Sequence, residues 1–372
     1  MFNRRKRQTR RGQLPPGPPG AFFIGNLLQL SGDAWIQFSE WKNVYGPIFH
    51  LNLAGQDVVV LGNNTVAADL LDRRASIYSD RPRFTVAREI LSEGLFFTFL
   101  PYGTIWRKMR RVGHERLHKG VVNKFHHIQH GETIRLLADL LTNPGDWENH
   151  VRRAVGSTVY SVAYATPPLK NATDSPLYET LEFTKDVVHA AYIDGGLVEL
   201  FPWFRYCPQI IAPWKQKALK ASVIYSELFS GWFKHVKESQ VGVVEEHQCV
   251  AAYVAAKQIQ HSLSDKEASW MLAALAAGSE TMSGVLAWFF LAMIQHPGIQ
   301  KKAQEEIDKN VGRNRLPSFS DYDHLQYIRA IIREVMRKDP VAPLGMQHRL
   351  TEDDFYHGYL IPKGTICIPN VW

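Results

Sequence analysis

Three groups of residues have the types and spacing to do chemistry. The first is Ala277-Gly278-Ser279-Glu280-Thr281, set in an otherwise apolar run. Gly278 weakens a helix at that point and lets a planar ligand approach its backbone. The Thr281 hydroxyl either bonds back to a carbonyl one turn earlier or turns outward to a bound molecule. Glu280 is costly to bury unless it has partners or work to do; the plainer alternative is a Gly-kinked helix with a solvated Glu. The second group is Trp106 and Arg110, four apart, so that an indole N–H and a guanidinium project from one helix face and suit a carboxylate ligand. The third is Glu334 and Arg337, three apart, which can form a paired, buried network. Glu132 and Arg135 repeat that spacing and read as a solvated helix face. A Glu-x-x-Arg pair arises about once by chance in a chain of this size, so spacing alone does not separate the two.

These groups need elements to hold them. Ser264-Asp265-Lys266-Glu267 is a capping box, and the apolar pattern behind it runs to His296-Pro297, where proline stops a helix. That gives one helix of about 31 residues, ~46 Å long at 1.5 Å per residue. Trp270, Leu272, Leu275, Leu286, Trp288, Phe289 and Leu291 cover most of its circumference, which predicts burial on all sides. Ile48 to Leu53 and Val58 to Leu61 read as a β-hairpin, and Asn63 or Asn64 caps a helix through Ala67, Leu70 and Leu71. Residues 104 to 340 are helical in pattern, broken at Thr166-Pro167-Pro168 and Phe201-Pro202. Strands return at Tyr359 to Ile361 and Thr365 to Ile368, around Pro362-Lys363-Gly364, a type I turn signature. The fold class is therefore α+β, mainly α. The aromatic residues Phe96, Phe97, Phe99, Phe183, Tyr192, Phe201 and Trp203 either line an apolar pocket or pack an ordinary core.

Composition narrows the function. A chain of 372 residues, 45% hydrophobic and 12% aromatic, is ample for a large packed core. The net charge is +7, but Arg4, Arg5, Lys6, Arg7, Arg10 and Arg11 supply six of those charges and leave the body near neutral. Confining the charge to one arm excludes a nucleic-acid-binding face. The arm runs into Leu14-Pro15-Pro16-Gly17-Pro18-Pro19-Gly20, a stiff stretch of the kind that lies cytoplasmic of a membrane anchor; a solvated or nuclear-localisation-like run is the alternative. Cys207, Cys249 and Cys367 are too scattered for a disulfide scaffold or a zinc site, so no residue is assigned to a metal. No uninterrupted apolar run approaches the roughly 18–20 residues needed to span a bilayer, and none follows the basic arm as in a secretory signal.

Order lifts these separately weak signals. A Pro-Gly hinge, Trp106-x-x-x-Arg110, Ala277-Gly278-x-Glu280-Thr281 and Glu334-x-x-Arg337 follow one another, with Pro343 to Asp353 and Gly358 to Thr365 behind. This series resembles the cytochrome P-450 family of haem-thiolate monooxygenases, closest to the fungal microsomal type, over residues 14 to 372. The resemblance implies that Trp106, Arg110 and His348 hold haem propionates, with Gly278 at the cofactor. It implies that Glu280 and Thr281 manage proton delivery to bound dioxygen, and that Glu334 and Arg337 lock the core beneath. It further implies an apolar small-molecule substrate, an NADPH-dependent reductase, and the cytoplasmic face of the endoplasmic reticulum membrane, approached through the basic arm. In the family the iron-ligating cysteine lies in a Phe-x-x-Gly-x-Arg-x-Cys-x-Gly loop, and none of the three cysteines here has those neighbours. The expectation is thus a basic arm and hinge (1–20), then an incomplete P-450 domain (21–372) cut before its axial cysteine and inactive by itself. The rival is a non-catalytic helical protein that binds a lipid or membrane surface.

Overall fold

The computed structural model describes residues 8–9, 12–191, 198–199, 201–239 and 249–372. The six basic residues of the N-terminal arm and Tyr192 lie outside the described residues. Leu14 to Pro18 are docked on the body: the His50 amide donates to the Pro16 carbonyl (2.8 Å), and Asn26 Nδ2 donates to Pro18 O (3.1 Å). Gly17 is required there, because a Cβ would sit 1.9 Å from the His50 carbonyl oxygen.

Helix α1 (Ala34–Tyr45) leads into strands β1 (Ile48–Leu53) and β2 (Gln56–Leu61), the expected hairpin, with Ile48 opposite Leu61. Its turn is only Ala54-Gly55, both at positive φ as a two-residue hairpin of this twist demands. Asn63 caps the next turn, its side chain accepting from the Val66 amide (2.9 Å). The helical body follows: α2 (Thr104–Leu117), α3 (His126–Thr142), α4 (Trp147–Tyr164), α5 (Leu177–His189), α6 (Pro213–Ser239), α7 (Val250–His261), α8 (Asp265–Ala277), α9 (Ser279–Gln295), α10 (Pro297–Asn310) and α11 (Gln326–Lys338). The chain closes with β3 (His348–Arg349), β4 (Asp354–Tyr356), β5 (Tyr359–Ile361) and β6 (Ile366–Pro369). The four-stranded sheet has order β1-β2-β6-β3, with β6 parallel to β2 (Val59 opposite Cys367) and antiparallel to β3. Strands β4 and β5 form a separate hairpin.

Two expectations need correction here. Residues Pro362 to Thr365 form a turn closed by the Thr365 amide on the Pro362 carbonyl (3.1 Å), but Gly364 has φ +84°, so the turn is type II. The apolar helix after Ser264 is helical from Asp265 to Gln295 except at Gly278, and its burial is one-sided along its length. The capping box is formed as expected, and α8 runs through the core: Ala268, Trp270, Leu272, Ala273 and Ala276 are all buried. Trp270 meets Phe96, Phe183 and Phe229 edge-on, in the same cluster as Phe99. By contrast α9 buries only Ser279, Ser283 and Met293, while Met282 is 53% and Ile294 77% exposed. The whole segment is long and apolar enough to cross a membrane by composition, yet its first half is core. All-round apolarity marks a helix without a polar face; it does not say that neighbours cover every side.

Candidate functional site

Helix α2 carries Trp106 and Arg110. Trp106 is half-buried, stacked on Phe97 (5.9 Å between centroids, 11° between planes) and leaning on Tyr102 at 5.2 Å. One turn on, Arg110 is exposed, and among the described residues no hydrogen bond or ion pair engages it. This sets it apart, since many arginines of this chain hold a carboxylate. Arg110 borders a cleft of ≈ 390 Å³ whose walls include Phe97, Met109 and Leu117 on its own side and Leu272 and Leu275 of α8 opposite.

The α8–α9 junction forms the next part. Gly278 stays in the right-handed region (φ −65°, ψ −15°), but its amide bonds back to Leu275 O, three residues earlier, at 3.1 Å. This tight turn breaks the helix and leaves Gly278 exposed. Of the two options open to Thr281, the hydroxyl takes the internal one, donating to Gly278 O at 2.8 Å while the residue itself is exposed. Glu280 is half-buried; burial pushes its carboxyl above the usual range, partly offset by Arg152 and Lys185.

His348 lies on β3 and makes no hydrogen bond to Trp106 or Arg110. Its Nδ1 bonds Tyr78 O at 2.8 Å. Burial, with Arg81 nearby, holds its pKa below the usual histidine value despite that bond, so the neutral ring is favoured. The link between this strand and α2 is Asp80, which sequence reasoning missed. The buried Asp80 accepts from Arg349 (2.9 and 2.5 Å) and from the Tyr102 amide (3.1 Å), tying β3 to the start of α2. Arg81 likewise donates to the carbonyls of Met346 and Gln347 (3.0 and 2.9 Å). Neither residue belongs to a spaced motif; an acid and a base flanked by Ser79 and Pro82 give no local signal.

The two Glu-x-x-Arg pairs exchange the environments expected of them. Glu334 and Arg337 do pair (2.7 and 2.5 Å), but at the surface, 59% and 70% exposed, because no described element packs on that face of α11. Glu132 is the buried one. It accepts from Arg153 (2.7 Å), Ser157 (2.8 Å) and Arg135 (3.3 Å), joining α3 to α4.

The aromatic set divides as well. Phe96, Phe99 and Phe183 are core, Phe97 lines the cleft, and Trp203 is exposed. No cysteine is offered to a ligand at this site. Cys367 is fully buried in the sheet on β6, where burial pushes its thiol far up. Cys249 caps α7, accepting from the Ala252 amide, and its thiol is also raised by burial. Cys207 sits half-buried near the start of α6. Among the described residues no cluster of three or more His, Cys, Asp or Glu is placed to hold a metal ion.

Taken together, a cleft with apolar residues (Phe97, Met109, Leu272, Leu275) on its walls beside basic ones (His114, His118, Lys119) and an unengaged Arg110 guanidinium suit an apolar group with carboxylates at its edge. Haem is such a group. Arg110 on the cleft wall suits its carboxylates, and none of the three cysteines lines the cleft.

Comparison with known proteins agrees. The cytochrome P450 family model matches residues 15–372. The chain is 46% identical over 360 residues to a cytochrome P450 monooxygenase of Armillaria gallica, covering 96% of this chain and 69% of that one. It is 41% identical over 363 residues to cytochrome P450 monooxygenase 58 of Postia placenta, covering 97% and 69% respectively. With cytochrome P450 monooxygenase iboC of Amanita muscaria it shares 38% identity over 370 residues, covering 99% of this chain and 64% of the relative. Motif order, mainly helical fold and the match along nearly its whole length agree: this chain belongs to the cytochrome P450 family.

Proposed function

We propose that this fold is built for haem-dependent monooxygenation of an apolar small molecule, with electrons from an NADPH-dependent reductase. We propose also that the 372-residue chain by itself does not complete that reaction. The observation that carries the first part is Arg110, unengaged among the described residues and set one turn from Trp106 on the wall of a cleft that is part apolar and part basic. When bound, haem would supply the chemistry of dioxygen activation. Trp106 and Arg110 hold its propionates through the indole N–H and the guanidinium. His348, whose Nδ1–H is given to the Tyr78 carbonyl, would donate from its other ring nitrogen to the same edge only when protonated, a form that a neighbouring carboxylate favours. Gly278, exposed and without a side chain, would let a planar group approach the helix backbone. Thr281 holds a proton at Oγ1 against the Gly278 carbonyl, and Glu280, protonated to higher pH than an ordinary carboxyl, replenishes it. Glu334 and Arg337 serve as a structural pair.

The second part rests on the placement of the cysteines: two are buried with raised pKa values, and none of the three lines the cleft. We place the protein at the cytoplasmic face of the endoplasmic reticulum membrane, its basic arm against the acidic surface. The test is a haem titration of the 372-residue chain. A single equivalent should bind with an induced Soret circular dichroism signal, and Arg110→Leu should weaken it.

A further inference from the structure

A second cavity, of ≈ 520 Å³, shares no residue with the cleft at Arg110. It is set between the start of α3, the end of α4 with the segment that follows it, and the Cys249 cap of α7. Its volume is that of an ordinary small-molecule site. Phe125, Ile128, Ala165, Pro168 and Cys249 give it apolar walls.

The charged or titratable groups on those walls, besides Cys249, are Lys124, His127, Glu132 and Arg135. Glu132 is already committed inside the protein, where it accepts from Arg153, Ser157 and Arg135. The two arginines of that network are balanced by Glu132 and by Asp139, which pairs with Arg153. Lys124 and His127 are left over. Both are exposed, and among the described residues no hydrogen bond or ion pair engages either side chain. The cavity thus presents an ammonium and an imidazole beside apolar walls, with no carboxylate free to meet them.

Gly131 supplies a second, independent observation. It lies inside α3, where glycine is among the poorest helix formers, and it is not one of the glycines at positive φ. A Cβ there would meet no protein atom within 4 Å. The missing side chain therefore makes room for nothing in the protein; what it keeps open is the cavity wall.

We infer that this cavity is a second small-molecule site, and that it takes an apolar molecule carrying a carboxylate. Lys124 and His127 bind the carboxylate, while Phe125, Ile128 and Pro168 cover the hydrocarbon. A carboxylate accepts from both donors and cancels the ammonium charge, which a neutral hydroxyl does not. None of the residues assigned to haem takes part.

The experiment titrates pyrenebutanoate and pyrenebutanol into the 372-residue chain without haem, followed by the fluorescence anisotropy of the pyrene. The butanoate should bind one per chain and about fivefold more tightly than the alcohol, the worth of an ion pair at a partly exposed site. Lys124→Gln combined with His127→Gln should bring the two probes to equal affinity. Gly131→Leu, which fills the cavity with a better helix former, should abolish binding of both while the thermal melt holds or rises. Arg110→Leu should change neither affinity, since Arg110 belongs to the other cleft. Equal binding of acid and alcohol by the wild type would overturn the inference, as would undiminished binding by folded Gly131→Leu. So would a preference that survives the double variant, or one lost in Arg110→Leu, which would put the probe in the cleft assigned to haem. Because no haem is present, a failed haem titration would remove the monooxygenase reading and leave these outcomes standing. Far-ultraviolet circular dichroism verifies that each variant is folded.

Discussion

Replacing Glu132 by Leu should be among the most damaging single changes on the helical body, although the residue looks on paper like one half of an ordinary surface pair. Its carboxylate is buried and receives Arg153, Ser157 and Arg135. Arg153 is also buried, and without Glu132 its ionic partner is Asp139 at 3.1 Å, at the network's solvent edge. Breaking a buried pair by removing one partner costs about 3–5 kcal/mol, because the remaining charge stays desolvated. At about 2.1 cal/mol/K per residue, 372 residues unfold with an entropy near 0.8 kcal/mol/K, so the melting temperature should fall by about 4–6 °C if the chain unfolds as one unit. Chemical denaturation should show the same loss as a shifted midpoint. Arg153→Met in the same background should recover part of it, since the double variant leaves no unpaired buried charge. Glu334→Leu is the control: its pair is solvated, and the melt should not move. Glu132 would not be a buried anchor of Arg153 if Glu132→Leu melted with the wild type, or if Glu334→Leu were the more destabilised of the two.

Two further outcomes follow from the same geometry. The reduced, haem-loaded 372-residue chain should give no thiolate-type Soret band with carbon monoxide, because Cys367 and Cys249 are buried as thiols; a clear band that disappears in Cys367→Ser would contradict this. For Glu280 the folded pKa lies above the usual 4.5, so the native state binds more protons than the unfolded one between the two values and stability falls as pH rises through that window. Glu280→Gln should flatten that decline in a pH series of denaturation midpoints, matching wild type in acid and exceeding it at neutral pH, whereas parallel curves for the two proteins would show that burial does not burden this carboxyl.

What the sequence made legible is mostly local. The Ser264–Glu267 capping box, the Asn63 cap, the β1–β2 hairpin and the stop at Pro297 each depend on a few adjacent residues, and each is present. The motif order likewise identified the family, because order and spacing are properties of the chain itself. Burial is different. Glu132-x-x-Arg135 and Glu334-x-x-Arg337 are indistinguishable in spacing, and only the packing of α4 against α3 decides which carboxylate leaves water. In the same way Leu272 and Ile294 are both apolar residues of one helical run, yet one is core and the other exposed, because α6 and neighbouring segments cover α8 and not the outer face of α9. Asp80 had no signal at all: its partners, Tyr102 and Arg349, are 22 and 269 residues away. The turn at Gly364 was misread for a smaller reason, since Pro and Gly at those positions suit more than one turn type until φ is known.

If Trp106 and Arg110 grip the carboxylates of haem, as proposed, esterifying those carboxylates should abolish their contribution. The 372-residue chain should be titrated with haem and with haem dimethyl ester, following Soret absorbance and its induced circular dichroism. The wild type should prefer the free acid by about tenfold or more, as expected for losing charge-assisted hydrogen bonds. Arg110→Leu should weaken haem alone and bring the two ligands to equal affinity, and Trp106→Phe should move part of the way. Equal binding of acid and ester by the wild type, or a preference unchanged in Arg110→Leu, would contradict the account.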